Sequence, residues 1–144
     1  MIAGLYAIFI VISDQISKFI ILNSLTPGET LPIVKSIFHL TLVFNKGGAF
    51  GILADATNFF IFISVAVIAA IAVFLFRNKP ERPVSMALAF VMAGALSNLI
   101  DRLRFGYVVD FLDFRIWPVF NIADSAITIG TIWLVYKMII KRKN

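Results

Sequence analysis

Cysteine is absent from the 144 residues, which excludes a disulfide framework, a Cys–zinc site and a thiol nucleophile. Histidine occurs once, at His39, so no multi-histidine metal site can form within one chain. Charged residues are scarce at 15%, while hydrophobic residues reach 60%. A soluble globular domain is roughly 45–50% apolar, so one small core cannot hide the surplus, which must face lipid. Too few residues remain outside the apolar runs for a second, soluble domain, and residues 1–144 are expected to form one membrane-embedded unit. An HExxH metalloprotease signature is also missing, and Ser125 lacks a GxSxG setting. A serine–lysine arrangement stays open on spacing alone, although no such pair is obvious.

What is present is a set of four apolar segments, at residues 2–22, 59–76, 84–100 and 120–140. A helix needs roughly 20 residues to cross the hydrocarbon, with about 17 as the lower limit, so each segment can span. Within a bilayer the backbone must satisfy its own hydrogen bonds, and no alternating ten-residue pattern points to a barrel. The first segment lacks a basic leader and carries Asp14 and Lys18 inside it, so it reads as a retained span and not as a cleaved signal peptide.

The net charge of +5 is concentrated at the ends of apolar runs, in RNKPERP after the second segment and KRKN at the end of the chain. That is a topology signal and not a nucleic-acid patch. Both chain ends are therefore expected on the cytoplasmic side. Residues 23–58 and 101–118 are left on the outer face. The first of these regions carries the turn signals Thr26-Pro27-Gly28 and Lys46-Gly47-Gly48. Between them lies FHLTLVFN, which alternates with a period of two, so strands with one apolar face are expected at the membrane surface. GYVVDFLDF in the second region alternates weakly. The predicted fold is mainly α and integral to the membrane, with four transmembrane helices and a small extracytoplasmic β-sheet between helices one and two.

Ionisable groups inside membrane helices cost roughly 2.5–3.5 kcal/mol on insertion scales and are functional candidates by default. Asp14 and Lys18 lie four apart on one helical face and can neutralise each other, which favours a structural ion pair. Asn98, Asp101 and Arg102 share a face at the end of the third segment. A helix-end network with Arg102 paired to Asp101 explains them slightly better than direct catalysis. Asn121 and Asp124 open the fourth segment like a capping box, a structural role that either residue alone would favour. Asp110 and Asp113 lie outside the spans, where a solvated loop acid is the default. In an extended segment they point to opposite sides.

Taken together these acids say more. Asp110 and Asp124 fall at the same membrane level. Two carboxylates at an apolar interface cannot both ionise cheaply, because each raises the pKa of the other and desolvation adds to the shift. One shared proton then supplies an acid and a base from identical side chains, able to activate water against a peptide carbonyl without metal or cofactor.

DQISK from Asp14, NKGGAFGIL from Asn45, GALSNLIDRL from Gly94, GYVVDF from Gly106 and PVFNIADSAI from Pro118 stand in this order between the apolar segments. In these motifs, over essentially its whole length, the chain resembles the bacterial lipoprotein signal peptidases, signal peptidase II. The resemblance implies an aspartyl endopeptidase of the bacterial cytoplasmic (inner) membrane. Such an enzyme cleaves prolipoproteins just before a diacylglyceryl-modified cysteine, at the outer leaflet, and is inhibited by globomycin-type cyclic peptides. It implies Asp110 and Asp124 as catalytic residues. Asp14, Lys18, Asn45, Gly47, Asn98, Asp101, Arg102, Asn121 and Ala123 match positions that shape or support the site. Expected partners are lipidated prolipoproteins and membrane lipid, with no nucleic acid, no metal and no cofactor, and the chain is expected to act as a monomer. Two departures stand out: Ser97 replaces a glycine common in the family, and the stretch from Asp110 to Asp124 is a few residues short. The region before the second span is expected to clamp on the lipidated cysteine. A small transporter predicts charges spread through the membrane depth, and a non-enzymatic scaffold predicts silent Asp110→Asn and Asp124→Asn substitutions.

Overall fold

The computed structural model describes residues 2–48 and 56–141. The second half of the NKGGAFGIL motif and the last three residues of the basic tail lie outside the described residues. Four helices are long and apolar enough to cross a membrane: α1 (Ile2–Ser24), α2 (Thr57–Asn78), α3 (Arg82–Phe105) and α4 (Ile122–Lys141). Three strands complete the fold: β1 (Thr30–Val34), β2 (Phe38–Asn45) and β3 (Val108–Asp113).

The helices turn large apolar side chains outward, with Phe62 70% and Phe76 84% exposed. Side chains of this kind are covered only when lipid surrounds them. The inward positions are instead small or polar. On α3, which packs against the other three helices, the buried set is Ala87, Ala89, Ala93, Gly94, Ala95, Ser97, Asn98, Leu99 and Asp101. Small side chains let membrane helices approach closely, where dispersion and polar contacts replace the missing hydrophobic drive. Gly94 marks the closest approach: a Cβ there would lie 2.3 Å from the carbonyl oxygen of Ala123 on α4. Gly130 repeats the contact further along α4, where an added Cβ would meet the Ala87 carbonyl oxygen at 2.7 Å. By contrast α2 buries only Ser64 and Ile71.

Pro83 sits in the first turn of α3, where a missing N–H is harmless. The helix ends at Gly106, whose positive φ of 78° closes the last turn through its N–H to the Arg102 carbonyl. That turn throws the chain directly into β3.

The strands form one antiparallel sheet in the order β1-β2-β3. FHLTLVFN is β2 over its full length. The sheet is larger than expected, because GYVVDFLDF contributes β3 from between α3 and α4 and so joins the two outer regions. Leu40 pairs with Leu112, Val43 with Asp110 and Asn45 with Val108, with a bulge in β2 between Leu40 and Val43. Ile21 at the end of α1, Leu42, Val109 and Phe111 form a buried cluster that seats the sheet on the helices. The short connection to α4 is tight, as its length required. Arg115 turns it at φ 65°, Phe114 stacks on Phe120 with ring centres 5.9 Å apart, and Phe120 bridges back to Leu112.

Candidate active site

Two carboxylates meet where the sheet joins the bundle. Asp110 stands in the middle of β3, 1% exposed. Asp124 stands in the first turn of α4. Three asparagines hold the pair. Asn121 donates from Nδ2 to Asp110 Oδ1 at 2.6 Å, and its own Oδ1 accepts the Asp124 backbone N–H at 2.8 Å. The helix cap thus fixes which way the Asn121 amide points and aims its donors at the other acid. Asn98 donates to Asp124 Oδ1 at 2.8 Å, while its carbonyl oxygen accepts from Asn121 at 3.1 Å and from Lys18 at 3.0 Å. Asn45 of β2 donates to Asp110 Oδ2 at 2.9 Å and accepts the Gly47 N–H at 2.9 Å. The capping box read from the sequence is present, with the Asn121 N–H returning to Asp124 Oδ2 at 3.4 Å.

Burial pushes the Asp110 carboxyl up to about 7, and the neighbouring charge of Asp124 adds to the rise. Hydrogen bonds from Asn45 and Asn121, with the more remote Lys18 charge, oppose it without cancelling it. A carboxyl that keeps its proton near neutrality beside a second carboxyl can give and take protons at the same place.

Beneath the pair lies a closed ionic network. Lys18 Nζ contacts Asp14 Oδ2 at 2.6 Å and Asp101 Oδ2 at 2.7 Å, and all three residues are almost fully buried. Here one sequence expectation is corrected: Asp101 pairs with Lys18 and not with Arg102. Tertiary packing brings α1 against α3, so the lysine four residues from Asp14 reaches a second carboxylate. Arg102, released from that pairing, donates to the Gly47 carbonyl at 3.3 Å and lies over the Phe60 ring at 5.1 Å. Its buried Nε has no hydrogen-bond partner among the described residues.

A second correction concerns Asp113, expected as a solvated loop acid. It is 5% exposed, accepts from Thr41 Oγ1 and the Arg115 N–H, each at 2.8 Å, and pairs with the Arg115 guanidinium at 3.0 Å. Burial alone would raise its pKa, but these donors outweigh it and hold the carboxyl below its ordinary value. Gln15 was not singled out from the sequence, yet its Nε2 reaches Asp101 Oδ1 at 2.8 Å and Ser97 Oγ at 3.1 Å. An amide inside an apolar helix needs partners, and that signal pointed to it. Ala123 is fully buried, and its N–H meets Asp14 Oδ1 at 2.9 Å.

Both acids open onto a groove of about 680 Å³. Asn45, Gly47, Gly48, Asn98 and Arg102 form its polar end. Phe114, Ile116, Trp117, Pro118, Ile127 and Ile129 form its apolar side. Fold and site together define a multi-pass membrane protein with a paired-carboxylate centre at one end of its helix bundle.

Comparisons with known proteins identify the family. Residues 6–140 match the family model described as signal peptidase (SPase) II. The chain is 49% identical over 137 residues to a lipoprotein signal peptidase of Moorella thermoacetica, covering 94% of this chain and 91% of the relative. It is 44% identical over 128 residues to that of Halothermothrix orenii, covering 89% and 88%. A bacterial membrane enzyme solved by the in meso method at 2.3 Å superposes with a TM-score of 0.91 at 35% identity, covering 95% of this chain and 87% of the other. The chain belongs to the signal peptidase II family, and it is accordingly a protease and a multi-pass bacterial membrane protein.

Proposed function

We propose that this protein removes signal peptides from diacylglyceryl-modified prolipoproteins, cutting just before the lipidated cysteine with Asp110 and Asp124 as an aspartyl dyad. The observation that carries the reading is the pair itself: two facing carboxylates, each held by an asparagine, at the head of a groove that is polar at one end and apolar at the other. The names of its relatives and its family membership support the substrate class.

With one proton shared, the ionised carboxylate takes a proton from water and the oxygen attacks the scissile carbonyl carbon. The protonated carboxyl donates to the carbonyl oxygen. Return of a proton to the amide nitrogen breaks the C–N bond and releases the signal peptide. Either acid can serve as the base, because the two share one proton. The apolar side of the groove takes the acyl chains, while Gly47 lets a peptide backbone come close. The dyad lies near the outer leaflet of the inner membrane with both termini inside, a reading supported by the basic segments after the second span and at the end of the chain. The reaction needs no cofactor, one chain suffices, and globomycin-type peptides block the groove.

The test is cleavage of a lipidated prolipoprotein by purified protein, read by mass. Asp110→Asn and Asp124→Asn, folded as wild type, should each abolish a globomycin-sensitive cut. Normal cutting by both variants, or no cut by wild type, overturns the assignment and favours a binding scaffold. Amide exchange in residues 25–56 should slow on globomycin binding as this region clamps on the ligand, and unchanged exchange there overturns the clamp.

A further inference from the structure

The ionic network under the dyad holds more charge than an ion pair requires. Asp14 and Lys18 would neutralise each other across one turn of α1, yet Asp101 adds a second carboxylate at 1% exposure. The cluster therefore carries a net negative charge out of contact with water. Ion clusters of this kind stabilise poorly, and well-packed apolar residues often do better, so stability alone does not account for it.

The free lone pairs of the two carboxylates show where they are directed. Asp14 Oδ1 accepts the N–H of Ala123 at 2.9 Å, the residue immediately before Asp124. Asp101 Oδ2 accepts the N–H of Val109 at 3.1 Å, the residue immediately before Asp110. Lys18 joins the two arms, and its third contact orients Asn98, the donor to Asp124. Ser97 Oγ, at 2.7 Å from Asp14 Oδ2, and Gln15, at 2.8 Å from Asp101 Oδ1, brace the arms from either side.

We infer that Asp14, Lys18 and Asp101 form a buried spacer that grips the backbone next to each dyad aspartate and sets the distance between Asp110 and Asp124. These three are positioning residues, since none lies along the groove. The inference rests on the dyad reading above. Asn121 and the Phe120–Leu112 bridge join β3 to the start of α4 directly, and the ionic network adds a second tie, from α1 and α3 to the backbone N–H just before each acid. A displacement of about 1 Å in a reacting group can cost on the order of 10²-fold in rate.

The charge arithmetic makes the idea testable. Removing either carboxylate leaves a neutral Lys–Asp pair, so Asp14→Ala and Asp101→Ala strip one arm without stranding a charge. Each should lower kcat by about 100-fold, leave KM unchanged and move the pH–rate profile, because the coupling within the dyad depends on its spacing. Asp14→Asn, which keeps an acceptor for the Ala123 N–H, should recover most of the lost kcat. Asp113→Asn, a buried acid on the same strand outside the spacer, should lower the melting temperature while kcat and the pH profile stay as in wild type. Wild-type kcat in a folded Asp14→Ala protein, or a loss confined to KM, overturns the spacer. If the alanine variants do not fold, Ser97→Ala decides: it removes one brace of Asp14 and no charge. A smaller kcat loss with a shifted pH profile supports the spacer, and a wild-type rate and profile overturn it. If Asp110→Asn and Asp124→Asn still cut, the dyad reading fails. If they are dead while Asp14→Ala is fully active, only the spacer fails.

Discussion

Asp110→Asn should change how stability depends on pH, apart from anything it does to activity. In the unfolded chain this carboxyl ionises near its ordinary 3.8, whereas in the folded protein burial and the Asp124 charge hold its proton until about 7. A difference of roughly 3 units corresponds to about 4 kcal/mol. The sign follows from the raised folded value. The contribution is fully present below pH 3.8, declines as pH rises, and is gone above about 7. Folded wild type should therefore lose stability between these limits relative to the amide variant, which cannot titrate there. For a chain of this length, about 4 kcal/mol is on the order of 10 °C in Tm. The assay is thermal unfolding in detergent followed by tryptophan fluorescence, for both proteins, from pH 4 to 8. Subtracting one curve from the other removes the groups remote from the pair and leaves the titration of Asp110 with its coupling to Asp124. A difference that stays flat across the range would refute the reasoning, since Asp110 would then titrate alike in both states.

Three further outcomes are expected. The pH profile of kcat/KM should fall on its alkaline side near 7, where the pair loses its shared proton; activity sustained well above pH 8 counts against a shared-proton dyad. Gly94→Ala should destabilise by about 1–3 kcal/mol and lower kcat, because the new Cβ collides with the Ala123 carbonyl beside Asp124. Gly130→Ala, which meets Ala87 further from the site, should destabilise with kcat retained, and equal kcat losses would show that the effect is general packing. Lys18→Met should cost about 3–5 kcal/mol by leaving Asp14 and Asp101 buried as like charges, and an unchanged melting temperature would show that water reaches them.

Much of this was legible in the residues. The four spans follow from run length and hydropathy, because the backbone has few ways to cross lipid. β2 follows from the alternation in FHLTLVFN, and the Asn121–Asp124 cap from spacing within one turn. Each is a local property, decided over a few neighbouring residues. The weak alternation in GYVVDFLDF was harder to read. Its strand exists because β2 lies alongside to pair with it, and Asp113 is buried for the same reason, with Thr41 supplying a partner 72 positions away in sequence.

The sequence by itself determined that the chain crosses a membrane, where it crosses, and which few polar residues have to be accommodated among so many apolar ones. Only the tertiary structure decided who meets whom among them. Asp101 could pair with the adjacent Arg102 or with Lys18, and the choice depends on α1 lying against α3. Asp110 is an ordinary strand acid until α4, drawn close at Gly94, places Asp124 beside it and burial raises its pKa. Local spacing sets the face on which a side chain stands, but charge coupling depends on distance and on the exclusion of water, and both are properties of the packed chain.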